Sequence, residues 1–293
     1  MQMLRPAIAA ALVALVAIGC APQFQHIKVA RPDKRYATVA SLSPGTTEII
    51  GSEAASNMLK GRSAADDYPM SVVNANVEIV ATVKPDYEKL AAMKPDLIIY
   101  DAALYGPEDI SKIKSLGFET FAMDANTVKG YEDELWALGD KLGYGTQFGD
   151  YINRVDDEAN KAEADKITPT PKVAVIMAGN GGSPMIAGTQ SFVADVVKIA
   201  GGEPVGPPVD HFVPVGPETL TGLAPDIILL PTSKAQAETD YNSLLKNPTL
   251  QALPAVKNKA IKALDENVVL RRGARVDAFI KSAHLALGAK GAS

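Results

Sequence analysis

The chain has 293 residues, 47% of them hydrophobic and 22% charged, with a formal charge of −5 and a single cysteine. That length and composition suit one large or two medium globular domains rather than a disordered chain. No basic block offers nucleic acid the clustered Lys and Arg it needs, and one cysteine cannot build a disulfide framework, so stability has to come from packing.

At the N-terminus Arg5 precedes an apolar run, Ala7 to Ile18, and then Gly19-Cys20. A positive residue, a short apolar stretch and a small-residue site make a secretory signal, and the run is shorter than the about 20 residues a bilayer-spanning helix needs. Ala17-Ile18-Gly19-Cys20 resembles the lipobox of bacterial lipoproteins, although that pattern prefers leucine where Ala17 stands. The resemblance implies that residues 1–20 are a signal and that Cys20 is lipidated. The mature chain would then be held outside the cytoplasm on a membrane by its acyl chains. Residues 21–35 read as a polar tether.

Tyr36 to Leu42 is rich in strand formers and runs into Ser43-Pro44-Gly45, after which Thr46 or Thr47 is placed to cap a helix through Glu48-Ile49-Ile50. Short apolar strands then alternate with helical patterns, which predicts βα units and a largely parallel sheet. The most informative feature is an internal repeat at a constant offset. Glu88, Leu90, Pro95, Asp96, Leu97 and Ile98 recur as Glu218, Leu220, Pro225, Asp226, Ile227 and Ile228. In each copy a short helix opens at Asp86 or Pro217 and stops before the proline. A continuous apolar strand of the kind covered on both faces follows. Each half therefore reads as its own α/β lobe.

Between the copies, 127–142 and then Gln147 to Lys166 are helical, separated by Gly143-Tyr144-Gly145. Tyr151, Ile152, Val155 and Ala159 give the second helix a narrow apolar stripe. About 20 residues at 1.5 Å each span about 30 Å, enough to join two lobes. Prolines in 167–171 end it and a strand starts at Lys172. The expected organisation is a first lobe over 36–126, a helical segment over 127–168 and a second lobe over 169–293, with little relative motion across a stiff connector.

Val39-Ala40-Ser41-Leu42-Ser43-Pro44 with Thr47-Glu48, Asp67-Tyr68-Pro69, the two Glu-x-Leu…Pro-Asp copies and Leu253-Pro254-Ala255-Val256-Lys257-Asn258 resemble the cobalamin- and iron-siderophore-binding proteins of ABC importers over about Tyr36 to Leu287. The resemblance implies an α/β fold of two Rossmann-like lobes with mostly parallel sheets joined by a single long backbone helix. It also implies a monomeric carrier that takes a small-molecule metal chelate to membrane permease subunits, with Glu88 and Glu218 docking against permease arginines. Cargo should lie between the lobes, at loops following the strands. Ser43, Asp66, Tyr68 and Tyr105 are candidate ligand contacts on the first lobe, and Asn180, His211 and Arg271 on the second.

The expected cargo is an iron-siderophore, with the Arg271-Arg272 pair suited to its anionic oxygens. Cobalamin, another corrinoid or haem is the alternative on the same scaffold. The sole tryptophan, Trp136, falls in a helical stretch instead of a cleft loop, and an axial haem ligand would have to come from Tyr105, Tyr68 or His211. Three histidines, with His26 in the tether, do not make a bare-metal site. No resident cofactor is expected. An extracytoplasmic enzyme finds no nucleophile elbow and no phosphate-cradling loop, and Gly179-Asn180-Gly181-Gly182 reads as a tight turn.

Overall fold

The structure, a computed structural model, describes residues 36–53, 56–178, 184–246 and 250–288. The signal, Cys20, the tether and Asn180 therefore lie outside the described residues.

The first lobe holds strands β1 (Val39–Ser41), β2 (Leu59–Ser63), β3 (Glu78–Ala81), β4 (Leu97–Asp101) and β5 (Glu119–Met123), with helices α1 (Pro44–Glu53), α2 (Met70–Val73), α3 (Tyr87–Met93) and α4 (Pro107–Ser115) between them. The strands form one parallel sheet in the order β3-β2-β1-β4-β5. Two helices follow, α5 (Val128–Leu142) and α6 (Gly145–Ala164). The second lobe contains β6 (Lys172–Met177), β7 (Met185–Ala187), α7 (Phe192–Ile199), β8 (Glu203–Pro204), β9 (Phe212–Pro214), α8 (Pro217–Leu223), β10 (Ile227–Thr232), α9 (Ala237–Leu245), α10 (Pro254–Lys257), β11 (Ile261–Asp265), α11 (Glu266–Val269) and α12 (Val276–Ala286). Its sheet runs β11-β10-β6-β7-β9, with β10 parallel to both β6 and β11, and with β7 and β9 antiparallel.

The repeat seen in the sequence has a structural cause. Asp96 Oδ2 accepts from the backbone N–H of Ala37 and Thr38, at 2.8 and 2.9 Å, and from the Thr38 hydroxyl. Asp226 Oδ2 accepts from Lys172 N at 2.8 Å. Each aspartate thus staples the start of its lobe's first strand to the strand beside it, β1 to β4 and β6 to β10. The helices before them match as well. Both α3 and α8 end on a left-handed residue, Lys94 at φ 49° and Ala224 at φ 46°, whose N–H bonds back to Leu90 or Leu220. Pro95 and Pro225 then stop the helix, and the apolar strand begins.

Helix α6 is the long rod the sequence predicts, starting two residues earlier, at Gly145. It does not run alone. Gly143, in the left-handed region at φ 78°, turns the chain between α5 and α6, and α12 returns to pack along α6. The stripe residues Tyr151, Ile152 and Val155 are buried. They join one continuous core with Val39, Ile49 and Leu97 of the first lobe and with Val173, Val175, Leu229 and Phe279 of the second. Thr127 caps α5 by accepting from Gly130 N, and Asp195 of α7 accepts from Val128 N at 2.8 Å, tying the helical segment to the second lobe. The described residues, 36 to 288, accordingly belong to one compact unit.

Replacing Asp96 with alanine removes three hydrogen bonds to a strand start and should cost about 2 kcal/mol, with Asp226→Ala costing about 1 kcal/mol. Urea denaturation of each variant checks the order, and an Asp226→Ala loss larger than that of Asp96→Ala would contradict it.

Candidate functional site

The carboxyl ends of the parallel strands put loops 42–44, 64–69, 82–86 and 102–106 on one edge of the first sheet. In open α/β sheets a ligand crevice forms where neighbouring connections leave to opposite sides, here between β1 and β4. That crevice is filled. The Tyr105 side chain is buried and its hydroxyl donates to the Leu42 carbonyl, and burial pushes its phenol well above the usual range. Ser43 is buried too, with Oγ bonded to Thr46 Oγ1 and accepting from Asp101 N at 3.0 Å. Ser43 and Tyr105, expected as ligand contacts, instead knit α1 and β4 together.

Helix α1 starts at Pro44, so that Thr46 and Thr47, either of which was expected to cap it, lie inside its first turn, because proline fits a first helical position. This turns Glu48 inward, where it is fully buried. An unpaired buried carboxylate would be prohibitive, and two arginines answer it. Arg275 reaches both Glu48 oxygens, through Nε at 3.1 Å and through Nη2, and Arg271 Nη1 stands 3.3 Å from Oε1. Burial raises the Glu48 pKa, while both guanidiniums pull it back down.

These arginines belong to a short strap, residues 270–275, that leaves the carboxyl end of the second sheet after α11 and crosses to the first lobe. Arg271 also bonds Asp67 and the Ala65 carbonyl. Arg272 bonds Asp101 and the carbonyls of Ala125 and Met123 at the ends of β4 and β5. From the other side Tyr131 of α5 and Tyr151 of α6 both donate to the Gly273 carbonyl, at 2.8 and 2.9 Å, and Val276 N donates to the Tyr151 hydroxyl. The strap thus lies between the two sheet edges, where the expected inter-lobe cleft would have its floor. It fits only because of two glycines. A Cβ on Gly45 would stand 2.8 Å from the Arg272 carbonyl oxygen, and one on Gly273 would stand 2.3 Å from Glu48 Oε2.

Of the residues expected to contact ligand, Asp66, Tyr68 and Arg271 meet at this junction. Tyr68 is 38% exposed, and the Arg275 guanidinium lies 4.9 Å from its ring centre, a cation–π contact worth about 0.5–1 kcal/mol. Arg271 is engaged by carboxylates and so is not the free cation the sequence suggested for an anionic chelate. His211 lies elsewhere. Its neighbour Phe212 pairs with Ala187 at the end of β7 remote from Met177, so His211 sits part-way down the outer edge of the second sheet, with Nδ1 2.7 Å from Asp210 Oδ1. Above the floor, loops 82–86 and 102–106 expose Val83 (90%) and Leu104 (58%), and Lys84 approaches Asp109 at 3.8 Å. Sequence reasoning missed Glu48 and Asp101. The usable signal was three arginines within five residues, which require buried or nearby acids. Among the described residues no group of three His, Cys, Asp or Glu could hold a metal.

The geometry is that of two α/β lobes bridged by a strap between their sheet edges, and comparison with known proteins agrees with a two-lobed fold. The model of the periplasmic binding protein family matches residues 39–268, and the chain belongs to that family. It is 31% identical over 197 residues to the high-affinity heme uptake system protein IsdE of Staphylococcus aureus (strain MRSA252), a match covering 64% of this chain and 66% of that relative, just short of two thirds. Its fold resembles the periplasmic heme-binding protein RhuT from Roseiflexus sp. RS-1 in apo form (TM-score 0.72, 23% identity, 86% of this chain and 98% of that one). It also resembles the periplasmic vitamin B12 binding protein BtuF of Vibrio cholerae (TM-score 0.73, 21% identity, 86% and 96%).

Asp66 supplies a pH test of the site. It is buried, takes one bond from Ser63 N at 3.1 Å, and leaves Oδ1 without a hydrogen-bond partner. Burial raises its pKa from 3.8 to about 6. With the folded value above the unfolded one, the native state holds an extra proton between about pH 4 and 6, and the stability this gives is lost as pH rises through 6. Asp66→Asn should therefore gain about 2 kcal/mol relative to the parent between pH 4 and pH 8. Denaturant titrations at the two pH values check this, and a gap that does not widen with pH would contradict it.

Proposed function

We propose that this protein is the extracytoplasmic solute-binding subunit of an ABC importer and that its cargo is haem. The observation that carries the cargo is the character of the first lobe's rim. Apolar Val83 and Leu104 and the half-exposed Tyr68 are exposed on loops at the carboxyl edge of the first sheet, while the arginines of the strap are committed to carboxylates. An exposed apolar surface of this kind calls for a ligand, and the flat face of a tetrapyrrole matches it. Tyr68 offers a phenol oxygen of a type that ligates haem iron, and Lys84 stands beside Val83 within reach of a propionate. The likeness to a heme uptake protein points the same way. The siderophore expectation leaned on Arg271 and Arg272 as open cations, and their pairing removes that support.

Haem added to the purified chain should give a Soret band saturating at a fixed stoichiometry. Tyr68→Phe, which keeps the ring and loses the oxygen, should change that spectrum and weaken binding by about tenfold or more. At 100 times its dissociation constant the cargo should add about 2.7 kcal/mol of stability. Stabilisation by ferric siderophores or corrinoids with none by haem would overturn the cargo.

Delivery needs a docking surface, and we assign it to Glu88 and Glu218. Both are exposed in the first turn of matching seven-residue helices, α3 and α8, that open at the carboxyl edges of their sheets. Two acids on a rigid frame give orientation and steering more than affinity. Reversing both to arginine should abolish uptake in cells while leaving haem affinity within about twofold; a lost affinity would place these residues in the cargo site instead. Anchoring through lipidated Cys20 is supported by Ala17-Ile18-Gly19-Cys20 alone, and Cys20→Ser should move the protein from the membrane to the soluble fraction.

A further inference from the structure

Three guanidiniums cross the cleft floor on the strap, and three carboxylates of the first lobe meet them. Arg275 and Arg271 share Glu48, Arg271 also holds Asp67, and Arg272 holds Asp101. Two of the acids are deep, with Glu48 at 0% and Asp101 at 13% side-chain exposure, whereas Asp67 is 45% exposed. The floor therefore presents positive groups whose field is cancelled within one hydrogen-bond length. A stacked guanidinium on Tyr68 and a paired one beside it give a ligand polarisable contact without net charge.

From this we infer that Glu48 and Asp67 are specificity-determining residues: by neutralising Arg271 and Arg275 they make the cleft floor reject highly anionic chelates and accept ligands whose inward face carries no charge. The inference rests on the cleft being the ligand site. Its physical basis is that a charged ligand entering a low-dielectric cleft needs an uncompensated opposite charge to offset its desolvation. A floor that has already satisfied its cations internally offers none. Specificity of this kind acts by withholding contacts from the wrong ligand as much as by supplying them to the right one.

The test uses the whole secreted chain and three probes of different charge, read by isothermal titration at low and high salt. They are a ferric tricatecholate carrying three negative charges, haem with its two propionates, and cyanocobalamin with no net charge. Asp67→Asn removes one exposed carboxylate and frees the outer face of Arg271. It should raise affinity for the ferric tricatecholate by about fivefold at low ionic strength, with the gain vanishing in 0.5 M salt, where screening is nearly complete. Affinity for cyanocobalamin should not change. Glu48→Gln should give a gain of the same sign, and if it does not fold, Asp67→Asn decides alone. No gain for the trianion in Asp67→Asn, or an equal gain for the neutral probe, overturns the inference. Failure of haem to bind the parent chain while the trianion gain is seen would instead overturn the cargo proposed above.

Discussion

A carboxylate with no access to water, Glu48, is the interaction on which the rest of the molecule turns. It sits on the first helix of the first lobe, and its partners, Arg271 and Arg275, arrive from the end of the second. Breaking such a pair by removing one partner leaves an uncompensated buried charge, at about 3–5 kcal/mol, a large share of the roughly 5–15 kcal/mol by which a folded domain exceeds its unfolded chain. The strap therefore cannot lift away from α1 cheaply. Around that pin the local chemistry is consistent. Gly45 and Gly273 let the two backbones approach, and Tyr131 and Tyr151 fix the Gly273 carbonyl from the helical side.

The consequence is a frame, not a hinge. Lobes that swing apart need a few soft loop positions between them. Here the connections are a twenty-residue helix, a second helix beside it and an ion-paired strap, all contributing to one apolar core that runs from Val39 to Phe279. A cleft so held is expected to keep its width whether or not it is filled, and its selectivity would then come from the chemistry of its rim and floor. In the site proposed above, Val83 and Leu104 would supply the apolar rim and the neutralised arginines the floor.

Much of the fold was legible because the repeat is enforced by local physics. A left-handed helix end, a proline and a strand-stapling aspartate must follow in that order, so Leu90-x-x-x-x-Pro95-Asp96 and Leu220-x-x-x-x-Pro225-Asp226 announce two lobes. Tyr151, Ile152 and Val155 marked the buried stripe of the long helix for the same reason of periodicity. The geometry of the candidate site was legible only in part. Asp66, Tyr68 and Arg271 were identified from loops that follow strands, and the structure brings them together. Ser43 and Tyr105 satisfied the same rule yet are buried, because a hydroxyl at a strand end serves a neighbouring backbone group as readily as a ligand. His211 misled because β7 runs antiparallel to β6 and β9 antiparallel to β7, so β9 points the same way as β6 and the loop before it lies at its amino end, away from the carboxyl edge. Pairing between Glu48 and residues more than two hundred positions later has no local signature at all.

The claim most open to direct measurement is that the strap and helices hold the lobes at a fixed separation. Spin labels at exposed Lys114 of the first lobe and Lys257 of the second, each replaced by cysteine in a Cys20→Ser chain, report that separation by dipolar spectroscopy. A rigid frame predicts a single narrow distance distribution that is the same without and with saturating cargo. A broad distribution in the free protein, or a shift of several ångströms on binding, would mean that the Glu48 pin does not hold the lobes and that closure is part of how this protein works.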